Sequence, residues 1–202
     1  MATQSNNTPA ATGTPHTIPP TAILTTEKFY LRRYEAADAE AMSAAANDPE
    51  LAKYLRSRFP SPYTLADAES FIAHCNSLAP PALTFGIFTV EAGEVAGTVS
   101  LEPPKGDPIY GGTRELGYWV ARKFWGQGIM TEAVKALTRW AFANVPELLR
   151  IEATVFEGNK ASERVLVKAS FVKEGTRRMA IVKEGKAMNE EMFGLIRADV
   201  QV

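Results

Sequence analysis

Cysteine and histidine are scarce in this chain. Cys75 is the only cysteine among 202 residues, and the two histidines, at positions 16 and 74, are far apart in sequence. An internal disulfide is therefore excluded, and no Cys or His cluster has the spacing of a metal site. Cys75 falls in a predicted helix with no obvious base beside it, so we expect an inert buried thiol and no metal.

Net charge and long apolar runs are also lacking. The formal net charge is −1, so no long-range field favours a nucleic acid or an anionic membrane as partner. No apolar run approaches the roughly 20 residues of a membrane-spanning helix, and the polar N-terminus has no apolar signal core. These absences favour a cytoplasmic protein with no nucleic-acid and no membrane partner.

The first 22 residues differ in composition from the rest of the chain. Segment 1–22 is rich in Thr, Pro, Ala and Asn and has no apolar period. Such a composition is typical of a disordered tail, because it offers too little apolar surface to bury. We therefore predict one domain over residues 23–202.

The remaining sequence alternates between strand and helix patterns. Alternating apolar residues predict strands, and apolar residues three or four positions apart predict helices. The predicted elements are a strand at 28–33, a helix at 36–47, a helical turn at 49–55, a helix at 65–77, strands at 83–90, 95–101 and 114–120, a helix at 128–143, a strand at 149–155, a helix at 159–168 and a hairpin of 171–182 and 187–196. This order predicts an α/β mixed sheet with helical crossovers in its later part.

Two glycines lie between a predicted strand and the longest predicted helix, in the segment ELGYWVARKFWGQGIMT at 115–131. The first N–H groups of a helix lack internal partners, the helix dipole adds positive charge there, and glycine lets an anion approach closely. This turn predicts a pyrophosphate site, with charge added by Arg122 and Lys123. A triphosphate P-loop would need Lys and Ser/Thr after the second Gly, and a dinucleotide fold would need Gly at position 131, so neither template fits.

A second polar segment, EGNKAS at 157–162, opens the next predicted helix. Taken alone, Asn159 is best interpreted as an N-cap, with Ser162 at the third helical position. Its place one strand after the glycine turn favours an additional role at a ligand.

These segments together resemble the GNAT superfamily of N-acetyltransferases, in the branch similar to ribosomal-protein N-terminal alanine or serine acetyltransferases. The resemblance is carried by ELGYW at 115–119, WGQGIMTEA at 125–133, NKAS at 159–162 and KASF at 168–171. It implies a GNAT-like acyl-CoA N-acyltransferase fold, a single domain with a splayed central sheet flanked by helices. It also implies acetyl-CoA as co-substrate, a protein N-terminus or small-molecule amine as acceptor, and a monomer or homodimer.

The resemblance also implies roles for individual residues. Turn amides from Gln127 to Thr131 would bind the CoA pyrophosphate, the edge formed by Trp119 and Val120 would pair with the pantetheine arm, and Asn159 would bond the cofactor near the thioester. The implied cofactor-binding residues are Trp119, Val120, Trp125, Gly126, Gln127, Gly128, Ile129, Met130, Thr131, Asn159 and Ser162.

Direct attack of an amine on a thioester requires a base, because an ammonium has no lone pair. Glu115 begins the strand that leads to the turn, and Glu102 ends the strand before it, so both are candidate catalytic bases in the cleft. The alternative for each is a surface or edge charge. Ser162, close to the sulfur, is the candidate donor to the leaving thiolate, and an N–H near Val120 would hold the oxyanion.

Several positions depart from the family pattern. Trp125 and Met130 occupy the first and last positions of the turn motif, Ser170 replaces the usual Gly before Phe171, and Phe193 stands where many relatives have Tyr. These departures leave open an alternative, a non-catalytic acyl-CoA-binding regulatory module on the same fold.

Overall fold

The computed structural model of this chain describes residues 16–78, 80–103 and 107–200. Its strands are β1 (Leu24–Thr25), β2 (Phe29–Arg32), β3 (Leu83–Thr89), β4 (Val95–Glu102), β5 (Thr113–Val120), β6 (Arg150–Phe156), β7 (Val172–Lys183) and β8 (Lys186–Ile196). Its helices are α1 (Ala39–Ala46), α2 (Pro49–Ala52), α3 (Leu65–Ser77), α4 (Ile129–Asn144) and α5 (Lys160–Lys168). The predicted order of the elements and the mixed α/β class are confirmed.

One eight-stranded sheet has the order β1-β2-β3-β4-β5-β6-β8-β7. Every neighbouring pair is antiparallel except β5 and β6, which are parallel. The β5–β6 ladder covers only residues 113–115 and 150–152, although the two strands continue to Val120 and Phe156. The two strands therefore diverge after Glu115, and the splayed central sheet predicted at this place is confirmed.

Helices cover both faces of the sheet, because alternate strand residues point to opposite faces. On one face, α4 buries the stripe Ala133, Val134, Leu137 and Ala141, all 0% exposed. Apolar residues at helical spacing form such a stripe, so this packing is as the sequence predicts. On the other face, α1 and α3 pack over a second cluster that includes Trp119. The diverging strands lie between these two layers.

Local sequence signals explain where the helices begin. Thr64 and Asp67 form a capping box at the start of α3, in which Asp67 also accepts the N–H of Thr64 at 2.8 Å. Asp48 caps α2 by accepting the N–H of Glu50 at 2.9 Å, and Pro49 follows at the first helical position. In the hairpin of β7 and β8, Glu184 and Gly185 both have positive φ, as in a type I′ turn.

Three sequence-based expectations differ from the structure. The predicted helix at 36–47 begins as a 3₁₀ turn and becomes α1 only at Ala39. Strand β1 was not predicted, because two residues are too few to show an alternation. The domain was expected to begin at residue 23, but Ile18 and Ala22 already pack against the apolar cluster on the α1–α3 side. Residues 1–15 of the predicted tail lie outside the described residues, so its extent stays a prediction.

Candidate functional site

A cavity of about 940 Å³ opens where β5 and β6 diverge. This volume is within the range of sites that hold a cofactor or drug-sized ligand. Every predicted site residue except Gln127 lines it, namely Glu102, Glu115, Trp119, Val120, Trp125, Gly126, Gly128, Ile129, Met130, Thr131, Asn159 and Ser162. The side chain of Gln127 instead donates to the carbonyl of Lys123 at 2.8 Å.

The N-terminus of α4 faces this cavity without a side-chain cap. Gly126 and Gly128 have φ values of 76° and 81°, in the left-handed region that favours glycine. A Cβ would find open space at Gly126 and only the Glu132 carboxylate, 3.8 Å away, at Gly128. The backbone conformation, rather than crowding, therefore requires glycine at these two positions. The turn directs the first amides of a 16-residue helix into the cavity, which is the arrangement of an anion site.

The open edge of β5 lies beside this turn. Ala121 donates its N–H to Ala96 of β4 at 2.9 Å, and successive residues of a strand direct their backbone groups to alternate sides. The N–H and C=O of Val120 therefore point away from β4, towards the gap. Trp125 donates its indole N–H to the Val120 carbonyl at 2.7 Å and fixes this edge against the turn. By the same alternation, Trp119 directs its backbone to β4 and contributes its side chain to the cavity.

Asn159 acts as the N-cap of α5, because its Oδ1 accepts the N–H of Ser162 at 3.1 Å. The hydroxyl of Ser162 lies 2.6 Å from the hydroxyl of Tyr118 on β5. This contact joins β5 to α5 across the gap. Burial raises the pKa of Tyr118 to about 12, although the hydrogen bond to Ser162 acts in the opposite direction. Tyr118 is therefore a neutral phenol that can orient the Ser162 hydroxyl, a role that the sequence analysis missed.

Glu102 and Glu115 occupy directly opposite positions on β4 and β5, on the sheet face that packs against α1 and α3. Like charges in such a pair repel each other. Each carboxylate is paired with an arginine from the segment between α2 and α3. Arg58 binds Glu102 with both of its distances at 3.0 Å, and Arg56 binds both oxygens of Glu115, with Nη1 at 3.0 Å from Oε2. Both predicted bases therefore face the cleft, but neither is free of a partner.

Glu115 and Ser162 approach the gap from opposite faces of the sheet. Residues 115, 117 and 119 of β5 point to the α1–α3 side, and residues 116, 118 and 120 point to the α4 side. Ser162 contacts Tyr118, so it belongs to the α4 side. A reacting group held in the gap would therefore have the carboxylate on one side and the hydroxyl on the other, as a base and an acid require.

Two expected contributions to the phosphate site are wrong. Arg122 turns away to a two-point ion pair with Asp48, at 2.5 Å from Nε to Oδ2, and Lys123 pairs with Glu94 at 2.8 Å. Their charges are compensated by these carboxylates, so they do not strengthen the anion site as predicted. In the cavity, Arg164 and Lys168 of α5 are cationic residues without a carboxylate partner among the described residues.

The departures from the family pattern have structural explanations. Met130 is 5% exposed and packs into the core, so its side chain anchors the first turn of α4. Ser170 has a φ of 69° directly after α5, a position where glycine is ordinarily favoured. Phe193 is buried in the same core as α4. Burial raises the pKa of the Cys75 thiol to about 11, which agrees with the expected inert thiol.

Two absences hold within the described part of the chain. Over residues 16–78, 80–103 and 107–200, no group of three or more His, Cys, Asp or Glu side chains could hold a metal ion. Over the same ranges, no helix has the length and apolar character needed to cross a membrane.

Comparison with known proteins agrees with this geometry. A family profile described as the acetyltransferase (GNAT) domain matches residues 28–172. The chain is 34% identical over 179 residues to the uncharacterized N-acetyltransferase p20 of Bacillus licheniformis, covering 87% of this chain and 97% of that protein.

Solved structures share the fold. A ribosomal-protein-S5-alanine acetyltransferase from Vibrio fischeri superposes with a TM-score of 0.73 at 23% identity, covering 89% of this chain and 98% of that one. RimL, a ribosomal alpha-N-protein acetyltransferase in complex with coenzyme A, gives a TM-score of 0.73 at 21% identity, covering 87% of this chain and 97% of that one. With the profile match over most of the sequence, these findings lead to one conclusion: the chain belongs to the acetyltransferase (GNAT) family and is an N-acyltransferase.

Proposed function

We propose that this protein transfers an acetyl group from acetyl-CoA directly to a primary amine. The observation that carries the proposal is the uncapped N-terminus of α4, which opens onto the cavity beside the part of β5 that pairs with no strand on its β6 side. Helix amides suit a diphosphate, and an open strand edge suits an extended chain of amides such as pantetheine. The related RimL structure, which contains coenzyme A, supports the same assignment.

Three sets of residues would hold the co-substrate. Backbone amides between Gln127 and Thr131 would bind the pyrophosphate, and the Val120 edge would bond the pantetheine arm. Trp125 would support that edge through its bond to the Val120 carbonyl. Asn159 would contact the cofactor near the thioester through its amide NH₂, because its Oδ1 is used by the helix cap.

Glu115 is the proposed general base. The acceptor arrives as an ammonium, and a proton passes to Glu115, directly or through a water, to release the nitrogen lone pair. Arg56 must move off the carboxylate for this transfer, because a carboxylate held by a guanidinium is a poor proton acceptor. Glu102, on the neighbouring strand, is the second candidate base, and it too must first leave its two-point ion pair with Arg58.

The amine nitrogen then forms a bond to the acetyl carbon, and the bond between that carbon and sulfur breaks. The Val120 N–H would stabilise the oxyanion that develops between these events. Ser162 donates its proton to the departing sulfur, while the Tyr118 hydroxyl, 2.6 Å away, orients and replenishes it. Glu115 passes the first proton to solvent, so it can accept the second proton that the attacking nitrogen loses. The proton that Ser162 and Tyr118 gave to the sulfur is restored from solvent, and the products are the amide, free CoA and one proton.

Calorimetry and thiol release test this proposal together. Acetyl-CoA and CoA are titrated into the protein with ATP as the comparison ligand, and free thiol is then followed with a panel of primary amines. We expect binding of both CoA species, no binding of ATP, and amine-dependent thiol release. No detectable affinity for CoA would refute the proposal.

Gly128→Ala and Gly175→Ala form a matched pair for the cofactor site. Gly128 has a φ of 81° at the start of α4, whereas Gly175 lies on exposed β7 without positive φ and with nothing within 4 Å of an added Cβ. We expect Gly128→Ala to weaken CoA binding roughly tenfold or more, because the residue must leave the left-handed region and move the amides. Gly175→Ala should bind CoA as the unchanged protein does.

A further inference from the structure

The acceptor side of the cleft carries two arginine–glutamate pairs side by side. Glu102 and Glu115 are directly opposite on β4 and β5, and Arg58 and Arg56 reach them from the segment between α2 and α3. Arg56 Nη2 also lies 3.3 Å from the Thr154 hydroxyl on β6. Arg56 therefore bridges both diverging strands just beyond the end of their ladder, where an acceptor must meet the thioester.

In this arrangement each glutamate charge is neutralised by one arginine. Burial alone would lower the pKa of Arg56, but the hydrogen bonds and charge of Glu115 raise it above its ordinary value. The Glu115 side chain is 26% exposed and the Arg56 side chain 43% exposed, so water screens the pair only in part. Buried Glu190, which lines a small adjoining cavity with Arg56, is already paired with Arg177 at 2.9 Å. Among the described residues, the three carboxylates that raise the pKa of Arg56, namely Glu102, Glu115 and Glu190, are therefore each already paired with an arginine.

The free energy needed to separate Arg56 from Glu115 limits which charges the acceptor can carry. A simple cationic amine that took Glu115 would leave Arg56 unpaired beside a second positive charge, which is unfavourable in a partly buried site. An amine that carries an anionic group a few bonds away would bring a partner for each member of the pair. Its ammonium would replace the guanidinium on Glu115, and its anion would receive the guanidinium.

The segment between α2 and α3 also limits the size of the acceptor. Phe59 packs edge-on against Trp119, with ring centroids 6.1 Å apart, and its ring lies tilted against that of buried Tyr63, with centroids 4.7 Å apart. Lys183 at the tip of the β7–β8 hairpin donates to the carbonyls of Ala52 and Leu55. The segment is thus fixed at both ends over the acceptor side, which favours a small molecule over a protein chain.

We infer that the acceptor is a small zwitterionic amine, of the α-amino acid or aminophosphonate class, whose anionic group pairs with Arg56 and whose ammonium pairs with Glu115. This inference rests on the proposed function and narrows its acceptor. Arg56 is then the residue that determines specificity. Arg58 stays paired with Glu102, so Glu115 is the carboxylate that binds the ammonium.

Matched substrates test this directly. Thiol release from acetyl-CoA is measured for L-alanine and L-methionine against their amides, for 2-aminoethylphosphonate against ethanolamine, and for a short peptide with a free N-terminus. We expect kcat/KM to be about tenfold or more higher for each anionic amine than for its neutral counterpart. The amino group of the amides is less basic, so a larger fraction of it is the neutral, reactive amine at the assay pH. A preference for the acids would therefore run against the chemical reactivity of the amines.

Arg56→Gln should bring the ratio of acid to amide close to one, mainly by lowering kcat/KM for the acids. Arg139→Gln, on the exposed side of α4 and outside the cavity, is the matched control and should keep the ratio. If Arg56→Gln does not fold, the substrate comparison on the unchanged enzyme still decides the matter.

Three results would overturn the inference while leaving the proposed function in place: equal use of acids and amides, better use of the peptide, or CoA binding with no acetylation of any anionic amine. Absence of CoA binding would instead refute the proposed function itself.

Discussion

Glu115 is the residue on which the proposed chemistry depends most. Glu115→Gln keeps the size and one acceptor oxygen for Arg56 but removes the charge and the proton acceptor. General bases contribute roughly 10²- to 10⁴-fold, so we expect kcat to fall about a hundredfold or more. Glu102→Gln should lower it less. Affinity for CoA, measured by calorimetry, should not change in either variant.

Exposed Glu147, outside the cavity, provides the control substitution Glu147→Gln, for which turnover should be unchanged. A larger loss with Glu102→Gln than with Glu115→Gln would exchange the roles of the two carboxylates.

Tyr118 and Ser162 act as one unit in the proposed mechanism, because their hydroxyls share a hydrogen bond of 2.6 Å. Ser162→Ala should lower kcat roughly tenfold, because it removes the donor to the sulfur. Tyr118→Phe should lower kcat by a smaller factor, because Tyr118 acts through the Ser162 hydroxyl. The double variant should lose little more than Ser162→Ala alone, because interacting residues are not additive. Losses in kcat that multiply fully would show that the two hydroxyls act independently.

At the level of whole elements, the C-terminus of α5 carries strain that glycine would relieve. Ser170 holds a φ of 69° there, and the left-handed region costs a residue with a Cβ about 1–2 kcal/mol. Ser170→Gly should therefore raise the free energy of unfolding by about 1 kcal/mol in urea denaturation. Ser170→Ala keeps the Cβ and should not stabilise the protein. Equal stability of the Gly and Ala variants would refute this explanation.

The elements that could be predicted from sequence are those with local signals. The apolar stripe of α4 and the glycines before it lie close together in sequence, so the helix and its bare N-terminus can be predicted from local signals. Strand periodicity could also have separated Tyr118 from Glu115, which lie on opposite faces of β5. The two ion pairs and the Tyr118–Ser162 contact could not be predicted, because they join residues 44 to 59 positions apart.

The partners of the charged residues beside the glycine turn also could not be predicted from the sequence. Arg122 and Lys123 precede the glycine turn in sequence, but both form ion pairs with carboxylates from distant segments, Asp48 and Glu94. Adjacency in sequence does not decide the direction of a long, exposed side chain, because many rotamers are available to it. The positions of such charges are properties of the folded chain.

On the scale of the whole molecule, the Asp48–Arg122 pair connects the start of α2 to the turn before α4. Hydrogen bonds from Arg122 hold the pKa of Asp48 below its ordinary value of 3.8. A lowered folded-state pKa stabilises the protein above the unfolded pKa, and this stabilisation is lost as the pH falls through the folded pKa. Asp48→Asn keeps the cap of α2 but removes the charge.

The Tm of the unchanged protein should therefore exceed that of Asp48→Asn at about pH 7, and the difference should shrink towards zero as the pH falls below about 4. Thermal unfolding of both proteins across this range measures it. A difference in Tm that stays constant with pH would show that it does not come from the charge of Asp48.

The short β5–β6 ladder affects the whole molecule as well as the site. In the described part of the chain, the ladder between the β1–β5 and β6–β8 portions consists of three residue pairs near Glu115. Side chains packed on α4 and side-chain hydrogen bonds such as Tyr118–Ser162 supply the further connection. A molecule bound in this gap would contact both portions, so its binding would also stabilise their association. Slower amide hydrogen exchange in β6 and β8 on saturation, well away from the glycine turn, would be the mark of that coupling.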